Sequence, residues 1–160
     1  FTCLSDAANA PVLAKNNRAT LSAGMLAQAL PDAIFVYVER ESEAVIRSVL
    51  TANKAFYGDV RFIWGLRPTP DFPRVAPVGK AQEIAAAQQS GLEKAIAEQL
   101  TQIPSERLVR ISFTALVKKE KSEIETVITQ VAEYLKIPQL APDETVSDII
   151  IPQNGMPSEN

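Results

Sequence analysis

The run Ile34-Phe-Val-Tyr-Val38 constrains this chain more than any other feature. It is continuous, β-branched and aromatic, and apolar at every position, so a strand built from it carries an apolar side chain on both faces. A strand with one wet face alternates instead. The pattern therefore predicts a central strand of a parallel sheet, with helices on either side. The neighbouring segments supply the helices. Thr20 to Leu30 spaces Leu21, Met25, Leu26 and Leu30 at helical intervals and stops at Pro31-Asp32. Ser42 to Asn53 puts Val45, Ile46, Val49 and Leu50 on one side.

Further along, the same reasoning fills out the order of elements. Pro11-Val-Leu-Ala-Lys15 is a short apolar run that reads as a buried strand ending at Lys15, with Asn16 and Asn17 as N-cap types for the next segment. Glycines and prolines punctuate residues 56–79 around Trp64 and Phe72, which predicts a long ordered loop with aromatic anchors, of the kind that often carries function. Ala81 to Gln102 is a long helix with Ile84, Leu92, Ile96, Leu100 and Ile103 as its apolar stripe, stopped by Pro104-Ser105. Leu108-Val-Arg-Ile111 is a second clear strand. Ser122-Glu-Ile-Glu125 reads as a capping box opening a last helix that carries Ile124, Val127, Ile128, Val131 and Leu135 inward and stops at Pro138. The tail, residues 139–160, is polar apart from Ile149-Ile-Ile151, which suits an edge strand or an interface. The order β-α-β-α-loop-α-β-α predicts one α/β domain over 1–160, with a mostly parallel sheet between helical layers. Ligands of such sheets bind beyond the carboxyl ends of the strands, where Lys15 and Arg40 fall.

Composition limits the chemistry. With 160 residues and 46% apolar, the chain can bury one core. A net charge of −3 gives no broad positive field, so nucleic acid is not expected as a partner and an anion site must be local. No apolar run reaches the length of a membrane span. There is no histidine, which removes the commonest general base and metal ligand. Cys3 is the single cysteine, so a disulfide or a cysteine zinc site within one chain is impossible; it reads as a small structural residue, and a cytoplasmic setting fits. Phe1-Thr-Cys3 shows neither an initiator Met nor a signal-peptide pattern, which fits a fragment or a trimmed chain.

Arg40 closes the clearest strand, and Ser48 lies eight residues on, inside the following helix. Eight residues advance roughly 12 Å and return near the same helical face. Helical side chains lean toward the N-terminus, so Ser48 points back toward Arg40. A phosphate fits between them, taking charge and a planar donor fork from Arg and a neutral hydrogen bond from Ser. The spacing also admits an ordinary reading, in which Arg40 pairs with Glu39, Glu41 or Glu43 and Ser48 is incidental.

The stretch Leu30-Pro-Asp-Ala-Ile-Phe-Val-Tyr-Val-Glu-Arg-Glu-Ser-Glu-Ala-Val-Ile-Arg-Ser48 resembles the 3′-phosphate motif of sulfotransferases that use PAPS (3′-phosphoadenosine 5′-phosphosulfate), written "fPdAkfI.v.Rdp..v..S". Lys15-Asn-Asn17 is similar to the family's "K(T/N/S)(P/H)" turn, and Trp64-Gly-Leu-Arg-Pro68 to its "W..rPpg" loop. Arg107 to Val117 aligns with the strand "r...v.yEdLv", and Tyr134-Leu-Lys-Ile137 with a terminal "yLgl". The similarity covers about residues 12–138. It implies a three-layer P-loop nucleotide-hydrolase-like sulfotransferase fold lacking its N-terminal P-loop strand, since Ser5-Asp-Ala-Ala-Asn9 has neither the glycine nor the basic residue of a 5′-phosphosulfate loop. By resemblance this is the C-terminal half of a sulfotransferase, and catalytically incomplete alone.

The resemblance further implies sulfuryl transfer from PAPS to a hydroxyl or amine of a small-molecule or carbohydrate acceptor, releasing adenosine 3′,5′-bisphosphate without a metal. Arg40 and Ser48 would hold the 3′-phosphate. Lys15 would approach the sulfuryl group or its bridging oxygen, or else be an exposed lysine at a strand end; both readings stay open. Arg67 is a surface ion pair more readily than a donor or acceptor contact, and Trp64 a loop anchor more readily than a substrate platform. The chain departs from the family at Glu41-Ser42, in place of Asp-Pro, and at Phe113-Thr114-Ala115, in place of Tyr-Glu-Asp. Asn17 stands where the cytosolic branch carries its catalytic His, so the chain is nearer to bacterial-type members that take a base from elsewhere. A P-loop kinase relative and a non-catalytic binding module are the alternatives. The acceptor and the oligomeric state are not legible in the residues.

Overall fold

The computed structural model describes residues 5–7 and 9–136. Cys3, Pro138 and the tail with Ile149–Ile151 lie outside the described residues. After a 3₁₀ turn at Asn17–Ser22 come α1 (Ala23–Ala29), β1 (Phe35–Glu39), α2 (Ser42–Tyr57), α3 (Ala81–Leu100), a 3₁₀ turn at Ser105–Arg107, β2 (Leu108–Ser112), α4 (Phe113–Lys118) and α5 (Lys121–Leu135). β1 and β2 pair in parallel, with Phe35 beside Leu108 and Glu39 beside Ser112. A parallel pair needs a long crossover, and α2, the loop and α3 provide it.

Alternation of side chains along the strands sorts the core into two faces. On one, Phe35, Tyr37 and Leu108 pack with Ile96, Leu100 and Ile103 and with Ala23 and Ala27 of α1. On the other, Val109 and Ile111 are buried where α5 lies against β2. Their register partners Val36 and Val38 stay 44% and 42% exposed. The sheet thus lies between helical layers, as the α/β pattern predicts, but α5 covers the β2 half alone, and among the described residues β1 has no neighbour on its far edge.

Three local expectations change. Pro11–Lys15 forms no strand; its residues are exposed, Leu13 by 96%, because no described strand lies alongside to take its hydrogen bonds. In α1 the buried face is Ala23, Gly24 and Ala27, and Met25 is 64% exposed. Small residues let α1 approach the end of α3 closely, and the Gly24 N–H donates to Gln99 Oε1 at 3.2 Å. Finally, Ser122 does not cap α5. That helix opens two residues earlier, with Glu120 at the N-cap position; Glu125 pairs with Lys121, and Glu123 accepts the Ser112 N–H at 2.7 Å. Asn16 does cap the first 3₁₀ turn, its Oδ1 accepting from Arg18 N at 2.9 Å.

At the N-terminal end of the strands, Arg107 is 8% exposed. Its Nη1, Nη2 and Nε donate to the carbonyls of Ala27, Leu30 and Ala33 at 3.0, 2.5 and 2.8 Å. These include the orphan acceptors at the end of α1, where a cation also suits the helix dipole. Arg107 therefore fastens the Leu30–Ala33 turn that delivers the chain into β1.

Candidate functional site

β1 ends at Glu39 and α2 begins at Ser42, so Arg40 sits in a two-residue turn beyond the carboxyl end of the sheet. Glu41 holds an extended conformation (φ −57°, ψ 132°) while its carbonyl accepts from Val45 N at 3.0 Å, which starts α2 directly after the strand. The Arg40 side chain lies over the Phe113 ring, 4.5 Å from guanidinium carbon to centroid. Phe113 does not extend β2, as the alignment with a strand implies; it opens α4. Ser112 is the reason, because its Oγ accepts from Thr114 N and Ala115 N at 3.1 and 3.4 Å and caps that helix.

A groove of about 190 Å³ runs beside Arg40, lined by Glu41 and Ala44 of the α2 start and by Phe113, Thr114, Val117 and Lys118 of α4. Ser48 is one turn beyond Ala44 on the same helical face, exposed, and its hydroxyl takes no hydrogen bond among the described residues. Two of the three acids that compete for Arg40 are engaged elsewhere: Glu39 pairs with Arg110, and Glu43 with Arg47 at 3.5 Å. No carboxylate pairs with Arg40 among the described residues.

A second cleft, about 320 Å³, lies on the other side of Arg40 between the sheet and α3. Two of its four charged residues, Arg110 and Glu39, pair with each other. Arg110 binds Glu39 above the Tyr37 ring, and Glu93 accepts the Ser42 hydroxyl. Burial, reinforced by the Glu39 charge, pushes the Tyr37 phenol above its usual pKa, so it stays a neutral donor.

The remaining sequence candidates fall outside both clefts. Lys15 lies exposed ahead of the first 3₁₀ turn and lines neither. Without a strand there, the argument that Lys15 marks a strand end lapses. Arg67 donates to the carbonyls of Pro70 and Phe72 at 3.0 and 3.2 Å and stiffens its own loop in place of a surface ion pair. Trp64 stacks on Phe56, centroids 5.5 Å apart, and acts as an anchor. The loop is also held by amides. Asn53, fully buried, donates to Val60 O at 3.2 Å and accepts from Trp64 N at 2.9 Å; Gln88 donates to Trp64 O and Leu66 O at 3.0 and 2.6 Å. A Cβ on Gly91 would lie 2.7 Å from Pro68 Cβ, so glycine is what lets the loop settle on α3.

Among the described residues no three His, Cys, Asp or Glu side chains gather to hold a metal ion, and no helix is long and apolar enough to cross a membrane. What sequence reasoning missed is the far wall of the groove. Phe113 and Thr114 stood out as departures from a pattern, but only the Ser112 cap signals that they turn onto a helix facing Arg40. No curated protein and no solved structure matches the chain. Residues 2–138, most of its length, match the family described as the sulfotransferase family, and the chain belongs to that family.

Proposed function

We propose that this chain binds the donor nucleotide of a PAPS-dependent sulfotransferase, with Arg40 and Ser48 as the contacts to its 3′-phosphate. The observation that carries the reading is an unpaired guanidinium at the carboxyl end of β1, with Glu39 and Glu43 engaged by other arginines. A cation without a carboxylate, ahead of the first turn of a long helix that carries the exposed Ser48 further along, matches a phosphate better than it serves the fold.

In the reaction the acceptor hydroxyl or amine loses a proton and its heteroatom bonds to sulfur, while the bond from sulfur to the bridging oxygen breaks and adenosine 3′,5′-bisphosphate leaves. Arg40 and Ser48 contribute position, fixing one end of the donor so that the sulfuryl group meets the acceptor in line. For Lys15 the resemblance alone supports a contact to the sulfuryl group or its bridging oxygen, with an exposed lysine as the other reading. The acceptor is a small molecule or carbohydrate, and the setting cytoplasmic.

Titration calorimetry of the chain with adenosine 3′,5′-bisphosphate and with adenosine 5′-monophosphate tests the reading. The bisphosphate binds more tightly, and the preference disappears in Arg40→Ala. Equal affinity for the two ligands, or an unchanged preference in Arg40→Ala, overturns it.

A further inference from the structure

The groove beside Arg40 has two walls, and of the phosphate contacts named above only Arg40 lines it. The opposite wall is α4. Its start is capped by Ser112, Ala115 is 1% exposed, and Lys119 closes it in a left-handed conformation (φ 55°). Phe113, Thr114, Val117 and Lys118 fall on one side of this turn and a half of helix and line the groove. Lys118 is exposed and pairs with no acid among the described residues.

We propose that Lys118 is a second cationic contact for the phosphate that Arg40 binds, and that Phe113 is a positioning residue for the Arg40 guanidinium. The proposal rests on the phosphate reading of Arg40 and Ser48. Charge supports it first. A phosphomonoester carries about −1.5 to −2 at neutral pH. Arg40 alone leaves part of that unmatched, and Glu41 at the rim works against it. Lys118 restores the balance from the other side. Its four-carbon stem and three rotatable donors suit a contact that adjusts to the ligand, while Arg40 supplies the fixed fork.

Geometry supports the role of Phe113. The ring lies 4.5 Å from the guanidinium carbon and offers no oxygen acceptor to its N–H donors. The contact therefore holds the group without pairing it to an acid. An acid in place of the ring would hold Arg40 equally well and consume the donors that the phosphate needs. Thr114 fits the same logic, presenting a hydroxyl to the groove and adding no charge.

The test measures the affinity of the full chain for adenosine 3′,5′-bisphosphate and adenosine 5′-monophosphate by calorimetry. Lys118→Ala weakens the bisphosphate about 5- to 10-fold, and Lys118→Arg stays within about 2-fold of the parent. Phe113→Leu weakens it about 3- to 5-fold, and Phe113→Tyr restores it. Thr114→Glu, which adds a carboxylate to the groove, weakens it about 10-fold. Binding of the monophosphate, which lacks the 3′-phosphate, is the same in all of them. If Arg40→Ala abolishes the bisphosphate preference while Lys118→Ala leaves it intact, the Lys118 contact is wrong and the phosphate reading survives. If Arg40→Ala changes nothing, the phosphate reading itself fails. Equal losses for both ligands in Phe113→Leu, or no rescue by Phe113→Tyr, reduce that residue to packing and refute its positioning role.

Discussion

Two arginines, one at each end of the same small sheet, are held in opposite ways. Arg107, below the strands, is buried and gives its donors to three main-chain carbonyls. Arg40, above them, rests one face on an aromatic ring and keeps its donors open. Neither has a carboxylate partner among the described residues. An arginine without an acid is therefore not a sign of function in itself. What separates the two is whether the backbone has already taken the hydrogen bonds. At Arg107 the fold is the ligand; at Arg40 the donors are the ones assigned above, by proposal, to a phosphate.

The comparison breaks first at Arg107. Arg107→Met keeps most of the apolar stem but leaves the carbonyls of Ala27 and Ala33 without their donor, while Leu30 O retains the Ala33 N–H, and lowers stability by about 2–4 kcal/mol, read from the denaturant midpoint. A loss under about 1 kcal/mol, a minor surface effect, would make the two ends alike. Asn53→Ala asks whether charge matters at all in such roles. Asn53 is neutral, yet it too serves buried main-chain groups, so its removal costs about 2–4 kcal/mol with no dependence on salt. Arg40→Ala is the opposite arm. Stability moves by less than about 0.5 kcal/mol while the bisphosphate affinity falls about 30-fold or more.

The smallest effect belongs to Asp59, whose carboxylate accepts from Arg61 Nε and Nη2 at 2.9 and 2.7 Å on the surface. These bonds hold its pKa below the ordinary 3.8. A depressed folded pKa means that the pair stabilises above 3.8 and that this contribution is lost as pH falls through the lower value. Midpoints of the parent and Asp59→Asn accordingly differ slightly near neutrality and converge in acid. A gap that widens in acid contradicts the assignment.

The sequence made the periodic elements legible. β1, α2, α3 and β2 lie within a few residues of where alternation and helical spacing put them, because those patterns are local. The proposal that Arg40 and Ser48 act together draws on the same kind of local pattern, a strand end followed by one helix. What the sequence hid is long-range. Nothing near Arg107 shows that its donors meet the α1–β1 turn, and nothing near Arg40 shows that its stacking partner is Phe113. Pro11–Lys15 misled because an apolar run becomes a strand only beside another strand. Met25 misled because close helix approach favours alanine and glycine over larger apolar side chains.

One further consequence follows from the way the loop 58–80 is attached. Asn53 and Gln88 grip it through the amide and carbonyl groups of Val60, Trp64 and Leu66, atoms that every residue type except proline possesses in full. Those clasps are indifferent to the letters written on the loop. Apart from Trp64, Arg67 and Pro68, whose side chains also hold the loop, its exposed residues can be exchanged while the frame beneath keeps its shape.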